Sequence, residues 1–350
     1  MLKNFWYACE FSSAITHKPQ QIVMLNQRFV LYRNSQGQIV ALKDQCSHRG
    51  AALSLGWLEN NCIRCPYHGW KFQADGKCLE IPANETGTPI PKKANINSYP
   101  VQEKYGFVWL FYGDLAAAER PQIPPLAEFN NPNLHRSFLT SPVNTHYTRV
   151  VENALDVSHV PIVHANSFGA GFGKDSRFQI YDIQNEAGGI SAKSKYKNYT
   201  KPKGLFKLFF KEKSTDINSK ITFYLPNITK LETSSDSIKI VNFAIHIPVD
   251  EHTTLSKRII FRSFLPYSFL DSIFLKYYSK INGEDSTVSE SQYPKVIPDN
   301  LSTEVHVSAD AFTLQYRQLR QKYLDMGWGL QPNKVTSDNS PQISLQHSYT

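Results

Sequence analysis

The sequence predicts an α+β protein in two parts: an all-β N-terminal third, then a mostly antiparallel sheet wrapped around a long helix. Three features lead there. Short β-rich runs fill the first third, a proline-rich stretch interrupts the pattern, and helical and strand-like segments alternate beyond it. In order, Gln21–Leu25, Arg28–Arg33 and Gln38–Leu42 are β-rich runs punctuated by Asn26-Gln27 and Asn34-Ser-Gln-Gly37, and Tyr105–Tyr112 closes the set. The stretch Arg120–Asn133 holds four prolines and no periodicity, so a linker is expected over 116–135, after a first domain of 1–115. The second domain, 136–330, opens with a helix over Tyr147–Val160 that Pro161 should end. Strand-like alternation follows at Gly189–Lys197, Lys220–Leu225, Ile238–Ile247 and Leu255–Leu265. Two more helices are expected, Tyr267–Ser291 with a break near Asn282-Gly283, and Val307–Tyr323. Residues 331–350 read as a polar, frayed tail. No internal repeat is present.

Bulk properties exclude several classes. The 350 residues are enough for two cores, and 41% hydrophobic with 19% charged content fits a globular chain rather than a disordered one. A net charge of +8 raises nucleic-acid binding, yet the basic residues are spread out, densest over Lys193–Lys213. An acidic electron-donor protein is the better partner for such a surface, and no nucleic-acid role is expected. The start, MLKNFWYACEF, lacks the apolar core of a signal peptide, and no apolar run is long enough for a transmembrane segment. Five cysteines, an odd count, point to a reducing compartment, so a cytoplasmic location is expected.

Two of those cysteines carry the main signal. Cys46-Ser-His48 and Cys65-Pro-Tyr-His68 form a C-x-H…C-x-x-H pattern with sixteen residues between its halves. Two thiolates and two imidazoles in that order suit a [2Fe–2S] cluster with unequal irons, cysteines on one and histidines on the other. Gly50 and Gly69 follow each pair, where tight loops let backbone N–H groups approach the sulfurs. Zinc also accepts Cys₂His₂, but zinc fingers pair like ligands, whereas each half here offers one of each. Cys62 makes a C-x-x-C with Cys65; with Cys65 committed to the cluster, Cys62 reads as a small strand residue, leaving Cys9 and Cys78 without a role. The stretches CSHRGA (46–51) and CPYHGW (65–70) resemble the Rieske family. Respiratory members carry an extra cysteine pair and a serine donor where this chain has Ala51, Tyr67 and Trp70, so the resemblance implies the lower-potential cluster of Rieske oxygenases and their ferredoxins.

A second metal site is expected in Glu152-Asn-Ala-Leu-Asp156-Val-Ser-His159-Val-Pro-Ile-Val-His164. On a straight helix His159 and His164 would point about 140° apart; a break at Pro161 would let the second imidazole swing back. Two histidines and a carboxylate make the facial triad of non-haem Fe(II) oxygenases. With N-x-x-D-x-x-H-x₄-H in place, nearly the whole chain is similar to Rieske non-haem iron oxygenase α subunits, in the branch of dicamba monooxygenase, vanillate demethylase and pheophorbide-type oxygenases. The resemblance implies a helix-grip (START-like) catalytic domain, His159 and His164 as iron ligands, and Asn153 beside the iron. It also implies that Asp156 bonds a Rieske histidine of the neighbouring subunit in a homotrimer. Within Gly283–Gln292, Asp285 is the best match for the third ligand; Glu284 and Glu290 are the alternatives, and an acidic helix start fits Glu284 and Asp285 as well.

The resemblance implies oxidation of a C–H bond with O₂, giving hydroxylation or oxidative demethylation of an aromatic or other hydrophobic substrate. No dinucleotide fingerprint occurs, so electrons must come from a separate NAD(P)H-dependent reductase or ferredoxin. The rival classes are a Rieske electron carrier and a redox sensor fused to a ligand-binding helix-grip domain, both without mononuclear iron; iron content separates them. Aromatics beside lysines at Gly204–Lys213 and Leu265–Tyr278 read as core helix and lid, or alternatively as a peripheral membrane contact admitting a lipophilic substrate.

Overall fold

In the computed structural model, residues 1–172, 178–200, 214–235 and 238–330 are described. The tail over 331–350 and the segment Gly204–Lys213 lie outside them. The N-terminal strands are β1 (Phe5–Phe11), β2 (Gln20–Met24), β3 (Gln27–Arg33), β4 (Ile39–Lys43), β5 (Trp57–Glu59), β6 (Cys62–Arg64), β7 (Lys71–Phe72), β8 (Cys78–Glu80), β9 (Ser98–Tyr99), β10 (Val101–Lys104) and β11 (Phe107–Tyr112). They make three antiparallel sheets, β1-β11-β10, β2-β3-β4-β9 and β5-β6-β7-β8. The turns at Leu25-Asn26 and Asn60-Asn61 adopt positive φ, which asparagine tolerates better than most residues.

The second domain is one seven-stranded antiparallel sheet in the order β12-β18-β17-β16-β15-β14-β13. Its strands are β12 (His135–Val143), β13 (Phe178–Glu186), β14 (Gly189–Thr200), β15 (Ser214–Tyr224), β16 (Ile228–Ser234), β17 (Lys239–Pro248) and β18 (Thr254–Arg262). Helices α1 (Tyr147–Leu155), α2 (Val160–Val163), α3 (Asp271–Ser291) and α4 (Ala311–Tyr323) accompany it, in the α+β helix-grip arrangement. Among the described residues no helix is long and apolar enough to cross a membrane.

Two local expectations need correction. The first helix ends at Leu155, and Pro161 sits in the first turn of α2 instead of stopping a helix. Proline is favoured there because its missing N–H would have no intrahelical partner. The break before α2 comes from Asp156, whose Oδ1 accepts the Ser158 N–H at 2.6 Å and replaces the helical pattern with a side-chain turn. Helix α3 also runs without interruption through Asn282-Gly283, because one glycine inside a helix of 21 residues costs only about 1 kcal/mol relative to alanine.

The two faces of the large sheet have different jobs. Along β17, Val241, Phe243, Ile245 and Ile247 are buried on one face, and the Lys257 ammonium of β18, paired with Ile245, meets Glu10 and lies over the Phe11 ring. This face joins the β1-β11 sheet in one continuous core. Lys230 on the same face is clamped by Glu128 at 2.9 Å, so the proline-rich stretch is tied down, with Ile123 and Leu126 buried. The other face carries Ile240, Asn242, Ala244, His246 and Arg258, and it curves over the helices around a cavity. A second, smaller core surrounds Cys46 and Cys65, built from Val30, Tyr32, Leu42, Leu53, Ile63 and Phe72.

Candidate metal centres

The loops 46–51 and 65–70 share one backbone design. Cys46 N–H donates to Ala51 O at 2.8 Å and Gly50 N–H to Cys46 O at 2.9 Å; Cys65 N–H donates to Trp70 O at 2.9 Å and Gly69 N–H to Cys65 O at 3.0 Å. Both glycines hold positive φ, +75° and +70°, a region that disfavours other side chains and closes each loop tightly. Arg64 pins the second loop through Gly69 O at 2.8 Å while Glu59 and Glu80 hold its guanidinium. Sequence patterning gave no reason to single out Arg64.

The loops bring Cys46, His48, Cys65 and His68 together. The imidazole centroids of His48 and His68 are 4.6 Å apart, and Trp70 stacks on His48 at 4.8 Å. Both thiols are buried, whereas His48 is half-buried and His68 exposed, so the histidine side faces the surface. Burial, helped by the adjacent Cys65 thiol, pushes the Cys46 thiol up to about 11, while N–H groups of His48 and Arg49 favour the thiolate. Burial and the nearby His68 and Arg49 charges lower His48, favouring the neutral form that ligates. His48 Nδ1 is buried without a partner. Paired thiols, N–H groups aimed at sulfur and an unpartnered ring nitrogen fit a [2Fe–2S] group. Cys62 is a buried residue of β6, and Cys9 sits at the β1 bulge with its thiol donating to Val108 O at 3.4 Å.

In the second domain, the possible ligand atoms of His159, His164 and Asp285 lie within 4.8 Å of one another. The histidines flank α2, one at each end, and their Nε2 atoms lie 3.3 and 3.1 Å from Asp285 Oδ1. Asp285 extends from α3 on the face that also presents Tyr278, Ile281 and Ser289, a helical repeat lining the cavity. Burial opposes charge on His159, but the Asp156 and Asp285 carboxylates overcome it and raise this imidazole to about 9. Burial likewise opposes charge on Asp285, and the two histidines win, lowering it to about 2. Its Oδ1 is buried without a hydrogen bond, a place a cation would satisfy.

The other acidic candidates serve elsewhere. Glu284 accepts from His164 Nδ1 at 2.8 Å and from Ser167 Oγ at 2.7 Å, fixing the ring so that Nε2 faces Asp285. Glu290 accepts the Asn144 N–H at 2.8 Å, away from the histidines. Asp156 lies 3.8 Å from His159 Nδ1, an ion-pair distance, and Asn153 lines the cavity from α1.

The cavity beside these residues holds about 250 Å³ and is walled mainly by apolar groups, including Val150, Phe168, Leu231, Ile240 and Phe274. Of the segment Leu265–Tyr278, Phe274, Tyr277 and Tyr278 face this space, whereas Tyr267 and Phe269 are exposed. His246 contributes a polar spot: Thr229 Oγ1 and Ser256 Oγ meet its nitrogens at 2.9 and 3.0 Å, and burial drives its pKa well below the usual value, keeping it neutral.

Residues 5–100 match the Rieske [2Fe-2S] domain family, and residues 143–326, more than half of the chain, match the vanillate O-demethylase oxygenase C-terminal domain. Methylxanthine N1-demethylase NdmA of Pseudomonas putida is 29% identical over 335 residues, covering 91% of this chain and 88% of that protein. Chlorophyllide a oxygenase of Chlamydomonas reinhardtii is 34% identical over 174 residues, 49% of this chain and 26% of that one. The chain spans about half the length, or less, of several curated relatives it matches. Dicamba monooxygenase bound to 3,6-dichlorosalicylic acid has the same fold, with a TM-score of 0.79 over 93% of this chain and 98% of that chain at 23% identity. The paired Cys-His loops and the sheet-and-helix domain behind them are therefore parts of one known design, and the chain belongs to the vanillate O-demethylase oxygenase family, with a Rieske [2Fe-2S] domain preceding that family's C-terminal domain.

Proposed function

We propose that this protein is an oxygenase that uses O₂ and externally supplied electrons to hydroxylate or oxidatively demethylate a hydrophobic, chiefly aromatic, organic substrate. The observation that carries the reading is the convergence of two imidazoles and one carboxylate, within 4.8 Å, on the wall of an apolar cavity. Neutral nitrogen and carboxylate donors in that number fit Fe(II) and leave coordination positions open. His159, His164 and Asp285 would hold such an iron, which would supply O₂ activation, and Cys46, His48, Cys65 and His68 would hold the cluster that would supply single electrons.

The chain's own residues do the positioning. Glu284 orients His164, Asp156 holds charge beside His159, and the apolar walls exclude water and confine the substrate. Relatives named methylxanthine N1-demethylase and vanillate O-demethylase support demethylation as one outcome. A separate NAD(P)H-dependent reductase or ferredoxin delivers the electrons. The exposed His68 supports an electron path across a subunit contact: Asp156 accepts from His68 of the partner subunit, and head-to-tail repetition closes a trimer.

An O₂-uptake screen of aromatic, N-methyl and tetrapyrrole compounds with a surrogate reductase tests the reading. The expected result is substrate-dependent uptake with a hydroxylated product or released formaldehyde. Fully iron-loaded protein that forms no oxygenated product from any class contradicts it.

A further inference from the structure

Arg258 sits in the middle of β18, paired with Ala244 of β17 on one side and Leu139 of β12 on the other. Its side chain is on the cavity face of the sheet and lines the same space as His159, His164 and Asp285. The residue is only 8% exposed, and its Nε and Nη1 are buried without a hydrogen-bond partner. Two other buried arginines show what the fold does with such a charge: Arg262 meets Asp271 at 2.5 Å, and Arg149 meets Glu152 and Glu304 at 3.2 and 2.9 Å. An unpaired guanidinium facing a cavity is costly to bury, so its retention calls for a partner that enters from outside.

Asp285 acts on Arg258 electrostatically, and this is the natural competing explanation. The carboxylate, however, faces the two histidines. Under the reading proposed above, on which this inference rests, one carboxylate and two neutral imidazoles around a divalent cation leave a net positive charge. Asp285 is then spent on the metal, and Arg258 remains uncompensated. A further unmet donor faces the same space, Asn282 Nδ2 on α3.

We propose that Arg258 is the anion-binding subsite of this cavity, and that the substrate is an aromatic acid whose carboxylate or sulfonate docks on the guanidinium. The planar fork suits a two-oxygen anion held by parallel N–H bonds. Asn282 Nδ2 offers one more N–H. The apolar body of the acid lies against Leu231, Ile240 and Phe274, with its far end directed to the histidine pair.

Calorimetric titration of the iron-loaded protein tests this with three probes: 4-methoxybenzoate, 4-methoxybenzenesulfonate and the neutral 4-methoxybenzamide. Either acid should bind tighter than the amide by about 10- to 100-fold, the worth of a buried charge-assisted pair. R258M should remove that preference and leave amide binding within about twofold, while R258K, which keeps the charge without the fork, should fall between them. R258K also serves if R258M does not fold. Acids that bind no tighter than the amide overturn the proposal, as does an R258M or R258K protein with an unchanged acid preference. An R258M protein that loses one iron per chain while still preferring acids assigns Arg258 to Asp285 and overturns it as well. The titration needs neither electrons nor O₂, so a protein that binds acids but never consumes O₂ would contradict the oxygenase reading and leave this subsite standing.

Discussion

Glu284 and Asp285 are adjacent on α3, yet they point into different surroundings. Successive helical residues diverge by about 100°, so one carboxylate reaches His164 Nδ1 while the other reaches both Nε2 atoms. Sequence alone left Asp285, Glu284 and Glu290 as candidates, because the phase of a distant helix against the histidine pair is set by tertiary packing. Replacing the orienting group should weaken the centre without removing a ligand. Glu284→Gln is expected to lower mononuclear Fe(II) affinity by about 10- to 100-fold, read by metal titration, with the visible spectrum of the Rieske cluster unchanged. His159 yields a pH prediction. Its pKa is raised from the usual 6.5 to about 9, so at neutral pH the imidazole carries a proton until metal displaces it. Metal affinity should therefore rise about tenfold per pH unit up to about 9 and then level off, with about one proton released per metal at pH 7. The same shift stabilises the metal-free fold below pH 6.5, and that contribution is lost as pH climbs through about 9. Affinity that is flat between pH 7 and 9 would show that His159 is not a ligand.

At the level of elements, four of the five interior strands of the large sheet were readable, and its two edge strands were not. The runs at β14, β15, β17 and β18 are buried enough to carry an apolar pattern, whereas β12 and β13 are the two edges of the sheet. An edge tolerates Pro142 in β12 and the polar end of β13, so the pattern fades there. Strand β16, in the middle of the sheet, was hidden by Lys230 and Glu232, although Lys230 is neutralised there by both Glu232 and Glu128. The helix positions that misled were Pro161 and Gly283, residues whose effect depends on where in a helix they fall. Gly283 is exposed in the interior of α3, and an added Cβ would meet nothing within 4 Å. Gly283→Ala should thus stabilise the protein by about 0.5–1 kcal/mol in urea unfolding. Destabilisation would mean that this glycine has a contact partner in the assembled protein.

Across the whole molecule, the cluster loops and the large sheet belong to different cores, and strand β3 lies between them, giving Val30 and Tyr32 to the first and Phe29 and Leu31 to the second. The Cys-His motif was legible because its ligands are close in sequence and its loops make their own hydrogen bonds. The cavity was not, since its walls come from both sheet and helices far apart along the chain. The electron transfer proposed between subunits belongs to this scale. Asp156→Asn is expected to keep both metals and the trimer, yet slow oxidation of a pre-reduced Rieske centre by orders of magnitude in stopped-flow bleaching with substrate and O₂. An active monomer, or normal transfer in that variant, would exclude the route through Asp156. The central claim, that His159, His164 and Asp285 hold a mononuclear iron beside the substrate cavity, is tested most directly by counting iron in His159→Ala. The wild type should carry three irons per chain and the variant two, with the Rieske visible spectrum the same in both. An unchanged iron content would contradict the claim and make the Asp156–His164 segment structural.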